Sequence, residues 1–302
     1  SAKKVLEGCR EFLSEESVVR SDDQLWVTLE GGPARLRLPS VDIGLYPQME
    51  APELPNGFRI GAAALRRCID MTIFATMTNE TRKNLMGVCL KLMDGKAAQW
   101  IATDGHRLAQ VIKDVEGLRS NGTPEVIVPR KALVEMQRVL ERSEAGVEIA
   151  FDERTLRLVA GKVVLMTRLI EGKFPNVDPV IPRDNDKSVR VNRERIINAL
   201  KIVSFMSSEK IKPVKMSLEP SLLRLESERA EYGDVADELP VDYEGEELKI
   251  GFNAKYLLDV LSVVGQSEQI EMKLKGALNP CLIQVPEDAS FLSVVMPLRI
   301  EW

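Results

Sequence analysis

The feature of this sequence that most constrains its fold is a long internal repeat. Ser1-Ala2-Lys3-Lys4-Val5-Leu6-Glu7 is matched by Pro129-Arg130-Lys131-Ala132-Leu133-Val134-Glu135, with Arg10 and Arg138 standing seven residues after Lys3 and Lys131. The match runs without a gap to Tyr46-Pro47 and Phe174-Pro175, and a third copy opens at Asn253-Ala254-Lys255-Tyr256-Leu257-Leu258-Asp259 and closes at Met296-Pro297. A period of about 125 residues is the spacing of domains, not of a solenoid.

Each copy is expected to begin with an amphipathic helix, since Leu133, Met136 and Leu140, and again Leu257, Val260 and Val264, fall at i, i+3 and i+7. Alternating strands follow at Leu25-Trp26-Val27-Thr28-Leu29, Leu36/Leu38, Leu156/Leu158 and Leu223/Leu225. A second kind of half-unit lies between the copies. Ile60 to Leu90 and Val191 to Leu218 open with helices carrying Leu65 and Ile69, or Ile196, Leu200 and Val203, before running into strands. The expectation is an α+β fold of paired helix-plus-antiparallel-strand halves: one half at 1–56, then whole domains at 57–183 and 184–302. The joints are Pro52-Glu53-Leu54-Pro55-Asn56-Gly57 and Pro182-Arg183-Asp184-Asn185-Asp186.

Composition narrows the function. With 302 residues the chain exceeds one ordinary core, and no apolar run reaches the roughly 18–20 residues of a membrane span. Ser1 opens the sequence without an initiator Met, which suggests a start partway into a longer product. Cys9, Cys68, Cys89 and Cys281 form no CxxC pair and read as buried reduced thiols of a cytoplasmic protein. A single histidine, His106, leaves too few ligands for the usual metal sites and no partner for a hydrolytic triad, so neither cofactor nor metal is expected. The net charge of −5 argues against nucleic acid only if charge is evenly spread. It is not: Arg193 to Lys215 holds six basic residues against Glu194 and Glu209, while Glu219 to Glu247 holds eleven acidic residues against Arg224 and Arg229.

Five motifs then stand in order: Ala102-Thr103-Asp104-Gly105-His106-Arg107-Leu108-Ala109, Ile127-Val128-Pro129-Arg130-Lys131, Glu171-Gly172-Lys173-Phe174-Pro175, Ile250-Gly251-Phe252-Asn253 and Val294-Val295-Met296-Pro297-Leu298-Arg299. Together the chain resembles the beta sliding clamps of bacterial DNA polymerase III, from the middle of their first domain onward. The resemblance implies a clamp fold with helices lining a ring and sheets outside. It further implies a non-catalytic processivity factor of DNA replication that encircles double-stranded DNA regardless of sequence. Its implied partners are the catalytic subunit of DNA polymerase III, a clamp loader and other proteins bearing a clamp-binding motif, with a homodimer in the full-length protein. The resemblance marks Arg130, Lys131, Asn79, Arg82 and Lys83 as DNA-facing, and Lys3, Arg10, Arg138, Arg193 and Lys201 join them on helices; read alone, the helix-borne charges are ordinary solvated faces. Lys83 replaces an aromatic found in some relatives, so phosphate attraction survives there and base stacking does not.

The same resemblance implies a groove for short peptides ending in bulky apolar residues such as Leu-Phe. It would be lined by Thr103, Gly105, His106, Arg107 and Leu108, by Leu85, Pro175 and Val180, and by Val294, Met296, Pro297, Leu298 and Arg299, with Asn253, Tyr256 and Pro280 on the rim. Leu, Val and polarizable Met suit varied apolar side chains. Without the family, Met296 and Leu298 read as a last strand packing its own core, and Asp104-Gly105 as a plain turn. Asn84 stands where some relatives have a groove-side Tyr, and Glu301-Trp302 extends the tail. An acid/base pair of Asp104 and His106 is the enzymatic rival, and a protein scaffold that does not encircle DNA is the binding rival. Dimer contacts are implied for Lys4, Arg35, Leu36 and Leu38 against Phe205 and Met206. A lone half at the N-terminus should expose strand edges and apolar surface, and so be poorly folded.

Overall fold

The computed structural model describes residues 1–45, 54–93, 96–120, 122–144, 146–205, 212–229, 233–265 and 267–300. Two units emerge, Ser1–Glu53 and Leu54–Trp302. In the first, helix α1 (Ala2–Glu11) is followed by strands β1 (Val18–Ser21), β2 (Trp26–Gly31) and β3 (Ala34–Pro39) in an antiparallel sheet of order β1-β2-β3. Leu25, expected in the strand, instead sits in the preceding turn with φ 62°, because the Asp22 carboxylate collects the amides of Gln24 and Trp26.

The second unit opens with β4 (Asn56–Gly61), α2 (Ala62–Ile73), β5 (Gly87–Leu92), β6 (Ala97–Thr103), β7 (Arg107–Asp114) and β8 (Glu116–Arg119). It continues with β9 (Glu125–Pro129), α3 (Arg130–Leu140), β10 (Gly146–Phe151), β11 (Thr155–Ala160) and β12 (Val163–Arg168). The same plan recurs as β13 (Lys187–Asn192), α4 (Arg193–Phe205), β14 (Pro213–Glu219), β15 (Leu222–Arg229) and β16 (Gly233–Pro240). It closes with β17 (Leu248–Asn253), α5 (Ala254–Val263), β18 (Gln269–Leu274), β19 (Cys281–Val285) and β20 (Asp288–Val295). The expected gapless match between the first two copies slips by one residue. The turn glycines Gly32 (φ 60°) and Gly161 (φ 57°) are one residue further apart than Lys3 and Lys131, because the second copy gains two residues before its sheet and loses one in the turn after β10.

The halves exchange their first strands. β4 pairs with β10 and β9 with β5; likewise β13 pairs with β18 and β17 with β14. Neither half can complete its sheet alone. The two domains also share a sheet, because β20 runs antiparallel to β7 with Val294 opposite Leu108 and Val295 opposite Arg107. The result is one eight-stranded sheet, β13-β18-β19-β20-β7-β6-β5-β9, flanked by sheets of order β12-β11-β10-β4-β8 and β16-β15-β14-β17.

That central sheet is covered on both faces, which explains why Gly87-Val88-Cys89-Leu90 reads as a continuous apolar run. Val88, Leu90, Trp100 and Val111 face the main core under the helices, while Cys89, Ile101, Leu108 and Val294 face a second cluster closed by Phe174 and Val177. The segment after β12 is therefore packed across the sheet at those two side chains. The helix faces are as expected: Leu133, Met136 and Leu140 are buried in α3, Leu65 and Ile69 in α2, Ile196, Leu200 and Val203 in α4, and Leu257 and Val260 in α5. α2 packs on α3, α4 on α5, and α2 touches α5, giving a row of four helices. No described helix is long and apolar enough to cross a membrane. Burial pushes the Cys68 and Cys89 thiols up to about 12 and the Cys281 thiol higher still, so all three stay protonated. Cys9 departs from expectation and is exposed, because α1 buries no residue at all.

Candidate functional site

The hairpin turn between β6 and β7 is built by its own side chains. Asp104 Oδ1 accepts from the amides of His106 (2.9 Å) and Arg107 (3.1 Å), and Thr103 Oγ1 donates to the Arg107 carbonyl (2.7 Å) while accepting from the Gly105 amide (3.1 Å). Gly105 has φ +90° with open space around a hypothetical Cβ, so the backbone conformation itself calls for glycine. This satisfies the turn without any acid/base pair, since Asp104 bonds the amide of His106 while the imidazole lies beside the Tyr256 ring at 6.3 Å.

The C-terminal tail lies against this turn. As the chain leaves β20, Met296 N donates to the His106 carbonyl and Leu298 N to the Gly251 carbonyl, both at 2.8 Å. Gly251 lets the tail lie close, since a Cβ there would come within 2.2 Å of Ile300 Cδ1 and 3.1 Å of the Leu298 carbonyl oxygen, and the Ile300 side chain would have to move. Leu278, Leu298, Arg299 and Ile300 help to line a hollow of about 280 Å³ beside it. Leu85, Leu108 and Val294 are buried in the second apolar cluster with Phe174, Val177 and Leu282, and half-buried Met77 and Ile181 pack on it. Pro175 and Val180 are exposed on the crossing segment, and Met296, Pro297 and Leu298 are half-buried. An apolar floor thus meets a polar turn and an extended tail where the two domains join.

Some expected groove residues do other work. Asn253 is 3% exposed and caps α5, its Oδ1 accepting from Lys255 N at 3.1 Å. The Pro280 carbonyl accepts from Asn185 Nδ2 at 3.0 Å on the turn before β19. Asn84 Nδ2 donates to the Lys173 carbonyl (2.9 Å), pinning the crossing segment to the 3-10 turn Lys83–Leu85. Arg107 is 8% exposed. Its Nε reaches Asp104 Oδ2 (3.0 Å), its Nη1 Asp259 Oδ2 (2.5 Å) and its Nη2 the Phe74 carbonyl (2.7 Å), and its guanidinium lies 4.5 Å from the Tyr256 ring centroid. Burial first, and then the nearby Asp104 carboxylate, push the Tyr256 phenol up, so it stays neutral.

The residues expected to face DNA divide into two classes. Lys3, Arg10, Asn79, Arg82, Lys83, Lys131, Arg138 and Lys201 are exposed. Arg130 is half-buried at the head of α3, where Nη1 donates to the Ile73 carbonyl and to Thr76 Oγ1 (2.6 Å); burial, and then the neighbouring Arg107, hold its pKa below the usual value. Arg193 at the head of α4 donates from Nε to the Leu261 carbonyl of α5 at 2.8 Å. Both guanidiniums therefore terminate a neighbouring helix, a favourable place for a cation. Sequence reasoning missed Ile73 and Leu261 as their partners, and Phe74 and Asp259 as those of Arg107. Of the dimer set, Lys4 and Arg35 are exposed, Leu36 and Leu38 half-buried and Phe205 84% exposed, while Met206, like Glu301 and Trp302, lies outside the described residues.

Comparison with known proteins decides the family. Residues 59–176 match the model of the DNA polymerase III beta subunit central domain, and 178–299 that of its C-terminal domain. The beta sliding clamp of Pseudomonas aeruginosa is 31% identical over 300 residues, covering 99% of this chain and 81% of the relative. The chain belongs to the beta sliding clamp family. Among other sliding clamps, that of Caulobacter vibrioides is 34% identical over 291 residues, covering 95% of this chain and 77% of its own length. The crystal structure of the Bartonella birtlesii clamp bound to griselimycin superposes with TM-score 0.92 at 32% identity, over 99% of this chain and 81% of that one. As a member of this family the chain is a non-catalytic sliding clamp of DNA replication.

Proposed function

We propose that this clamp encircles duplex DNA without reading its sequence and holds the catalytic subunit of DNA polymerase III, the clamp loader and other motif-bearing proteins through the groove at the join of β7 and β20. The observation that carries the groove is the meeting of three segments distant in sequence, the 103–107 turn, the 174–181 crossing and the 294–298 tail, around the apolar floor of Leu85, Leu108 and Val294. In this proposal whole domains span 57–183 and 184–302, preceded by a half at 1–56; matches over 59–176 and 178–299 support two whole domains. Exposed Lys131, Arg138 and Lys201 on the helix row would meet phosphates, and the acidic β15–β16 region would face away from them. In the full-length protein, the pairing of β20 with β7 offers a template for closing a homodimer. The open edge of β3, carrying Arg35 and Arg37, suits the open edge of β16, carrying Asp234 and Glu238, with Phe205 nearby on α4. Protonated buried thiols suit a cytoplasmic protein.

The groove is tested by titrating a fluorescent peptide ending in Leu-Phe against the chain and its Met296→Ala variant by anisotropy. Saturable binding that weakens roughly tenfold or more in the variant is expected. No binding by a folded chain would remove the groove from this reading, and retention on closed circular DNA that fell with salt as steeply as on linear DNA would remove the encircling ring.

A further inference from the structure

We infer that Arg107 is the positioning residue of the groove: it sets the groove's shape by clamping three elements together and does not itself hold the peptide. This inference rests on the groove reading above. All three guanidinium nitrogens of Arg107 are spent inside the protein, on Asp104, Asp259 and the Phe74 carbonyl. The rings of Tyr256 and Phe74 lie close to it as well, with centroids 4.5 Å and 5.3 Å from the guanidinium carbon. A peptide would meet a side chain that is 8% exposed and has every nitrogen already engaged within the protein.

The three anchors belong to different parts of the fold. Phe74 ends α2, Asp104 forms the β6–β7 turn, and Asp259 lies on α5 in the other domain. Arg107 is also the residue of β7 that stands opposite Val295, the last residue of β20, from which the tail departs to bond His106. Any shift of α5 is therefore passed through one planar fork to the turn and so to the tail. Arg130 grips the same helix end one residue earlier, at Ile73. Two cations sit on one helix terminus, and Asp104 and Asp259 supply the negative charge that makes the arrangement tolerable in a half-buried place. Lysine could not replace Arg107, since a point charge cannot reach three acceptors in fixed planar directions.

The test is a double-mutant cycle on peptide affinity using Asp259→Ala, Arg107→Lys and the two combined, with Asp259→Asn held ready should the alanine variant fail to fold. Each single change is expected to weaken the Leu-Phe peptide about tenfold, and the double no more than either alone, because both remove one clamp. Wild-type affinity in Asp259→Ala, or losses that multiply in the double, would mean that Arg107 touches the peptide and would overturn the inference. A second readout needs no peptide: amide exchange at His106, Arg107 and Met296 should accelerate in the Asp259 variants. Unchanged exchange there overturns the clamp even if the groove binds nothing, whereas a wild-type chain with accelerated variants but no peptide binding overturns the groove reading alone.

Discussion

The half formed by α1 and β1–β3 and the half formed by α3 and β10–β12 are written on one plan, yet they are packed to very different degrees. In α3, Ala132, Leu133, Met136 and Leu140 are buried; α1 buries none of its residues, and Leu6 is 53% exposed. β10 is held on both edges, by β11 and by β4 donated from the other half, and Val147, Ile149 and Phe151 are buried. All four residues of β1 are exposed, and among the described residues it pairs with β2 alone. An amphipathic pattern supplies a face but not the surface that covers it; in this fold the cover comes from exchanged strands and a second helix.

The sharpest way to break the comparison is to make the same deletion in both halves. Burying a leucine fully is worth roughly 1.5–3 kcal/mol, and its removal from a packed core costs about 2–5 kcal/mol with the cavity included. Leu133→Ala should lower the stability of the second unit by that amount in urea unfolding, while Leu6→Ala should change stability by less than about 0.5 kcal/mol. Equal costs would mean that α1 is covered by surface that the described residues do not show.

The next difference lies at the helix heads, where the repeat places Ala2 opposite Arg130. Arg130 bonds the Ile73 carbonyl and Thr76, and nothing at Ala2 can do the same. Arg130→Met should therefore cost about 1–3 kcal/mol of stability through the acceptors it leaves unpaired. Exposed Lys131→Ala should leave stability nearly unchanged and instead reduce the salt slope of DNA association by about one. If Arg130→Met altered only the salt dependence, its place would be on DNA and not on the helix end.

That contrast also shows what the sequence could disclose. The stripes Leu65/Ile69 and Leu133/Met136/Leu140 were legible because helical periodicity is local, and the Asp104-Gly105 turn because both residues act on their own backbone. The proposed groove was legible only through its family motifs. The duties of Arg107, Arg130 and Arg193 were not, since their acceptors include the carbonyls of Phe74, Ile73 and Leu261, and a backbone carbonyl leaves no mark on residue identity. Strand exchange was hidden for a related reason: alternation reports which face a strand buries, and β4 and β9 would alternate in the same way in either half. Cys9 was misread because a buried thiol was inferred from type, when α1 has nothing over it.

The smallest effect concerns the turn between the first two strands of the first unit. Asp22 accepts the amides of Trp26 and Gln24 and pairs with Arg37 at 3.2 Å, while the Arg37 guanidinium lies over the Trp26 ring at 4.5 Å. The Trp26 amide is the largest influence and, with Gln24 and Arg37, holds the Asp22 carboxyl below its ordinary value of 3.8, against the opposing effect of desolvation, which is second in size. The folded turn therefore binds a proton more weakly than the open chain does. Its contribution is complete above pH 3.8 and is lost as the pH falls through the lowered value. The indole N–H resonance of Trp26 should accordingly shift in acid, and Asp22→Asn, which keeps an oxygen for the two amides but has no proton to take up, should abolish that titration while leaving the hairpin in place. A Trp26 signal that titrated unchanged in Asp22→Asn would place its acid sensitivity elsewhere, and the first unit would then owe its order to more than this turn.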